Sequence, residues 1–374
     1  MKNKYLTLLA ASSFAFFMQA CGDDSSSSSA ALDEEKPAEE SATAGQLFVV
    51  GSDYESGEIR WIEDGKLSKK SISIHQDTKL VYAGSKLFAL ERYGSDNLAL
   101  INTEDKKVEW EVSLGDGANP ADIVAINDNE AWVGMAGTPE IVKVSMKDGK
   151  TVKTIKTDAF MTKDAYSPNL ADLDVTGDTL LAIFQRYVTD ENWNTVYPKG
   201  LLAMYNLKDG KLLDTIQLAK QNPQAIAVVD GNVYVSSMGE YNNSWGTDAD
   251  DKRGIEKVDL AKKTSKLFVS GKKIGAGVYQ FAVDHKANVA YATAYGDGEY
   301  PVVKIDLESG DVKTIEGLDN GQGGLVVDEA TGTLYVGDRS FMEPGVRSYD
   351  GKKAALIENS DSKTLDPYSL AVVQ

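Results

Sequence analysis

The sequence predicts an all-β ring of seven four-stranded antiparallel blades, and three observations predict it. From Gln46 onward, short β-type runs alternate with turn residues, and no amphipathic helical pattern of useful length interrupts them. The runs recur in a fixed order of four at a spacing of roughly 40–50 residues, the period of a β-propeller. The final segment, Asp366–Gln374, matches the one strand that the first unit lacks. A chain of 374 residues exceeds one small core, but a closed repeat accommodates that length as a single unit.

Each element follows from this repeat. The clearest unit is Asn222–Ser270, whose pieces NPQAIAVVDG, NVYVSSMG, RGIEKVDL and TSKLFVSG read as strands A to D. Strand A ends at Asp-Gly, a hairpin signal, and strand B alternates around Val233 and Val235. The same order returns at Thr78–Gly115, Asn119–Thr157, Ser167–Ala219, Gly275–Gly317 and Gly321–Asn359. Gln46–Ile74 begins with a B-type strand, QLFVVGSD, and DPYSLAVVQ at the C-terminus resembles the A strand of NPQAIAVVD. Together they make the seventh unit, with the last strand closing the ring.

The start of strand A, Asn222-Pro223-Gln224-Ala225-Ile226-Ala227-Val228, and the end of strand C, Ile305-Asp306-Leu307-Glu308-Ser309-Gly310, carry a family resemblance. The chain resembles the YncE-like and quinoprotein-dehydrogenase-like propellers over its whole body. The resemblance implies a fold rather than an activity, because propellers host many functions.

The N-terminus reads as an address. Lys2 and Lys4 precede a mostly apolar run, Tyr5–Met18, of signal-peptide length. Met18-Gln19-Ala20-Cys21 resembles a bacterial lipobox, although the family prefers Leu in the first place and a small residue in the second. The expected division is a signal peptide over 1–20, a lipidated Cys21 with a disordered acidic Ser-rich tether over 21–45, and the propeller over 46–374. Asp23 and Asp24 resemble a surface-export signal. The expected location is the outer membrane, lipid-anchored and facing the cell surface, with the periplasmic face as the alternative.

Charge and composition exclude several classes. A formal net charge of −18 argues against nucleic acid and against electrostatic docking on anionic lipid, leaving the lipid anchor as the membrane contact. One cysteine and two histidines rule out a thiolate cluster or a His-rich zinc site within the chain. Neither a Gly-x-Ser-x-Gly elbow nor a phosphate loop is present.

What chemistry the chain has is concentrated in the B–C loops, which share one face with the D–A connections. These loops hold Tyr54, Arg92, Tyr93, Arg186, Tyr187, Trp193, Tyr197, Tyr241, Trp245, Tyr295, Tyr300 and Arg339 as candidate ligand-binding residues. Arg92, Arg186 and Arg339 each follow a B strand directly and are expected to point toward one central region. The bland alternative is that each ring packs on its own blade and each arginine pairs with a nearby acid.

The function expected is therefore non-enzymatic capture of a ligand. Surface propeller lipoproteins of similar plan take cobalamin or siderophores to TonB-dependent transporters, and aromatic platforms equally suit a glycan. A protein–protein scaffold is the second reading. A metal-dependent, lactonase-like hydrolase is the third; Asn119, Asn169, Asn222 and Asp172 could offer oxygen to Ca²⁺, though Asn-Pro also suits a turn into a strand. No cofactor is expected.

Overall fold

The computed structural model describes residues 43–241, 251–296, 300–361 and 363–374. The signal peptide, Cys21, nearly all of the tether and Trp245 lie outside the described residues. No helix among the described residues is long and apolar enough to cross a membrane.

The chain folds as seven antiparallel sheets of the expected four-strand plan. In blade 2 the A to D strands are Thr78–Ala83, Lys86–Glu91, Asn97–Asn102 and Lys107–Ser113. Blades 3, 5, 6 and 7 repeat this plan, with A strands Pro120–Ala125, Pro223–Val229, Gly277–Asp284 and Leu325–Asp328. In blade 4 the A strand is Leu170–Thr176, and a small hairpin, Val188–Thr189 with Thr195–Val196, is inserted between B and C.

Blade 1 is assembled from both ends of the chain. Its A strand, Pro367–Val373, pairs antiparallel with its B strand, Gln46–Ser52. Asp328 of blade 7 secures the junction. Its carboxylate accepts from the Gly45 backbone N–H at 3.2 Å and from Gln374 Nε2 at 2.9 Å. The A strands contact one another in unbroken succession around the axis, from blade 1 through blade 7 and back.

Seven apolar clusters fill the spaces between the blades. Phe48, Val50 and Ile59 of blade 1 meet Leu80, Leu87 and Ala89 of blade 2, whereas Leu47 and Val49 turn the other way toward Val346 of blade 7. Alternate residues of one strand thus enter two different cores. This is why the B strands read as continuous apolar runs, as in Thr179–Phe184, buried on both faces. Each such side chain contributes about 1.5–3 kcal/mol. The D strands, such as Thr151–Lys156, are mostly exposed edges.

One irregularity positions the site. The A strands of blades 1, 3, 4, 5 and 6 carry a register shift near their first residues. The residues left out of the pairing are Tyr368, Ala121, Ala171, Gln224 and Tyr279. A bulge of this kind re-aims the side chain it frees. Here that happens where the strands enter from the B–C and D–A face.

Candidate binding site at the channel mouth

The innermost strands would leave backbone donors facing the channel, and side chains of the neighbouring blades satisfy several of them. Leu80 N–H donates to Ser369 Oγ at 3.0 Å, Leu173 N–H to Asp122 at 3.3 Å, Ile226 N–H to Asp172 at 3.1 Å and Val228 N–H to Asp174 at 2.7 Å. Lys79 Nζ completes the belt at 3.0 Å from Asp122 and 3.5 Å from Asp172. Burial works against the Lys79 charge, but Asp122 and Asp172 overcome it and hold its pKa above the ordinary value. Burial, then the Asp122 charge, pushes Asp172 well up. Burial also raises Asp174, to about 6.

Above this belt runs a chain of tyrosines. Tyr187 and Tyr197 of blade 4 lie 5.9 Å apart between ring centroids, Tyr197 and Tyr241 6.3 Å, Tyr241 and Tyr295 5.8 Å, Tyr295 and Tyr300 4.9 Å, and Tyr300 and Tyr279 6.0 Å. Offset and edge-on contacts at such distances stabilise aromatic pairs. The run crosses blades 4, 5 and 6, so rings from different blades pack on one another. Burial first, and then the phenols of Tyr279, Tyr295, Tyr197 and Tyr300, raises the Tyr241 pKa. Burial and the Tyr295 and Tyr279 phenols push Tyr300 up to about 12. At neutral pH these hydroxyls are therefore protonated donors.

The run ends at a cationic corner. Tyr54 packs edge-on against Tyr368 at 6.2 Å, and the Arg339 guanidinium lies 4.8 Å from the Tyr54 centroid and 5.7 Å from that of Tyr368. Arg92 Nε donates to Asp77 at 2.8 Å, and Arg92 NH2 donates to the Tyr368 hydroxyl at 3.0 Å. That hydroxyl donates to Asp77 at 2.7 Å. The Tyr279 phenol stands near both groups. Burial, Tyr54 and Asp77 raise its pKa, while Arg92 and Arg339 oppose the rise.

Not every candidate joins this arrangement. Arg186 has a left-handed φ of 63°, and its Nε donates to the Phe160 carbonyl at 2.9 Å. It caps the connection that leads from blade 3 into its own blade, so of the three arginines two meet at Tyr368, Arg92 and Arg339. Trp193 sits at the tip of the inserted hairpin, is 88% exposed, and contacts none of the tyrosine rings. Tyr93 is exposed, and its phenol is close enough to Tyr187 to raise the latter's pKa after burial has done so.

Other sequence candidates have structural places. Asn119, Asn169 and Asn222 adopt left-handed φ of 46°, 53° and 54°, a conformation asparagine tolerates, and enter their A strands from it. Asp172 is held by Lys79 and the Ile226 N–H. Among the described residues, no group of three or more His, Cys, Asp or Glu side chains could hold a metal ion. His285 pairs with Glu329 at 2.7 Å in an A–B turn, away from the mouth. His75 Nδ1 accepts from the Asp77 N–H at 3.2 Å.

No family model matches the chain, and no curated protein matches it. Solved structures do. A protein from Lactobacillus plantarum aligns with a TM-score of 0.60 at 12% identity, over 89% of this chain and 100% of that one. Kuenenia stuttgartiensis hydrazine synthase aligns with a TM-score of 0.58 at 13% identity, over 87% and 99%. Apo AztD from Citrobacter koseri aligns with a TM-score of 0.53 at 14% identity, over 88% and 98%. The likeness is one of fold. This chain is a seven-bladed propeller.

Sequence reasoning missed Tyr279, Tyr368 and Asp77. The first two lie inside A strands and reach the mouth only because the strand bulges at each. A signal existed. Aligning the A strands on their turn residue puts Tyr279 and Tyr368 in register with Ala121, Ala171 and Gln224. Two bulky aromatic rings at a position held elsewhere by smaller residues mark a local specialisation.

Proposed function

We propose that this chain is a lipid-anchored, YncE-like propeller that binds a small ligand at the tyrosine-lined mouth of its channel and performs no chemistry on it. One observation carries the reading: six tyrosines contributed by three blades form a continuous run beside two arginines. Rings that only stabilised their own blades would have no reason to meet across blade boundaries. Asp77, a carboxylate at the mouth, is held by Arg92 and Tyr368 rather than poised as a base, which favours binding over hydrolysis. The lipobox-like Met18–Cys21 and the acidic residues after it support an outer-membrane site facing outward, with delivery to a TonB-dependent transporter.

A thermal-shift screen of cobalamins, iron chelates and oligosaccharides tests this. A specific ligand stabilises by about 2.7 kcal/mol at a hundredfold excess over Kd. Tyr241→Ala should abolish the shift, and Trp193→Ala should leave it. A shift lost with Trp193 and kept with Tyr241 would move the site onto the hairpin. Labelled palmitate should enter the wild type and not Cys21→Ala.

A scaffold role is the second reading. Phe341 and Met342, 97% and 88% exposed on the B–C loop of blade 7, favour a protein partner at the rim. Co-purification of one stoichiometric partner, lost on Phe341→Ser, would support it.

A further inference from the structure

One cation at the mouth stands outside the ion pairs formed there. Arg92 is met by Asp77, and Lys79 by Asp122 and Asp172. Arg339 has no carboxylate within ion-pair distance among the described residues. Its guanidinium donates instead to the carbonyls of Ser52, Asp366 and Pro367, at 3.0–3.4 Å. Carbonyl oxygens satisfy hydrogen bonds but leave the charge in place. This cation lies in a protein of net charge −18, beside the aromatic faces of Tyr54 and Tyr368.

We propose that the mouth takes a flat organic anion: its aromatic body rests against Tyr241 and Tyr300, and its negative group meets Arg339 beside Tyr54 and Tyr368. This deepens the binding reading above and rests on it. The carbonyls engage the NH1 and NH2 end of the Arg339 guanidinium, and the edge that carries Nε remains for an anion. Tyr241 and Tyr300 offer faces to an aromatic body, and their hydroxyls can meet its oxygens. The bulged position that holds Tyr279 in blade 6 and Tyr368 in blade 1 holds Ala121 and Ala171 in blades 3 and 4, so no ring stands at that position on the far side. A neutral sugar would use the rings but leave Arg339 without a counter-charge.

The test uses 2-naphthoate and its neutral counterpart 2-naphthylmethanol, titrated by calorimetry into the whole protein. Naphthoate should bind roughly tenfold or more tightly than the alcohol, the return on one charge-assisted contact. Added salt should weaken the acid and not the alcohol. Arg339→Gln should remove the preference, and Arg339→Lys should keep part of it. Tyr241→Ala should weaken both probes.

Arg339 also staples blade 7 to blade 1, so the salt dependence of the wild type guards against a variant that folds poorly. Equal affinity for acid and alcohol, an acid affinity indifferent to salt, or no naphthoate binding at millimolar concentration would each overturn the inference. If a neutral oligosaccharide or a corrinoid binds and is lost with Tyr241→Ala while naphthoate is ignored, the binding reading stands and the anion falls. If Tyr241→Ala changes nothing for any probe, both fall.

Discussion

The Lys79 ammonium sits 3.0 Å from Asp122 and 3.5 Å from Asp172, so one cation ties together carboxylates from two further blades. Each of those carboxylates also accepts a backbone N–H from the next A strand. Ionic and peptide contacts therefore form one belt, and removing its cation should be felt across three blades.

Lys79→Met should destabilise the protein at pH 7. A sealed ion pair that loses one partner costs about 3–5 kcal/mol. The Lys79 side chain is one-third exposed to the channel, so about 1–3 kcal/mol is expected. Lys79→Met with Asp172→Asn should be milder than Lys79→Met alone, because the second change removes one of the two carboxyl groups left facing each other without the cation. Urea unfolding of the two variants decides this; strictly additive losses would mean the three groups are not coupled.

Asp174 should make stability fall as the solution is brought from acid toward neutral. Burial raises its pKa from 3.8 to about 6, against the hydrogen bonds from Val175 and Val228 and the pull of His285. Between those values the folded state holds the proton and the unfolded state has released it. The contribution is then full below pH 4 and lost as pH passes 6. Asp174→Asn keeps an acceptor for Val228 N–H and cannot ionise. Its stability relative to wild type should therefore rise between about pH 4 and 6. A difference that stays flat across that window would refute the assignment.

How much could be read from the chain alone follows from where each signal lay. Strands with two buried faces write themselves as apolar runs, as in Thr179–Phe184, and the turn residues between them set the repeat. The ring closure was legible because Pro367–Val373 is an A strand with no B strand after it. The mouth was half legible. Tyr187, Tyr197, Tyr241, Tyr295 and Tyr300 stand in or beside long B–C loops, where aromatic residues are conspicuous. Tyr279 and Tyr368 were hidden because a bulge, not a loop, brings them out. Arg186 misled for the opposite reason: it shares its sequence position with Arg92 and Arg339, but a left-handed backbone turns it onto Phe160. Asp122 and Asp174 were also hidden, since a single polar residue in an A strand looks like ordinary alternation until seven strands are laid side by side; Asp172 was noticed, but as an oxygen donor to Ca²⁺ rather than as a partner of Lys79.

Asp328 should act as the latch of the ring. It is fully buried and accepts from Gly45 and Gln374, which lie at the two ends of the closed body, and from Ala330 and Thr331 of its own turn. Burial alone would raise its pKa, but these hydrogen bonds overcome it and leave the carboxyl below its usual range. A depressed carboxylate contributes stability above the unfolded pKa and loses it as pH falls through the folded one. Asp328→Ala should cost about 2–4 kcal/mol at pH 7 and less in acid. Amide exchange should speed up first in Pro367–Val373. Exchange that accelerates evenly around the ring would argue against a latch.

The tyrosine run should announce itself in alkali. Burial and the neighbouring phenols of Tyr295 and Tyr279 push Tyr300 from 10.0 to about 12, and Tyr241 and Tyr279 shift in the same direction. In the unfolded chain these phenols ionise near 10. Between pH 10 and 12 the folded state therefore holds protons that the unfolded state has lost, and stability falls as pH rises through that window. Ultraviolet titration of the native protein should show a late class of phenols that ionises only near or after unfolding. Tyr300→Phe keeps the ring against Tyr295 and removes one late phenol. It should reduce the late amplitude and soften the alkaline loss of stability, with little change at pH 7. A variant that instead loses an early-titrating group would place Tyr300 in open solvent and break the run at its tightest contact.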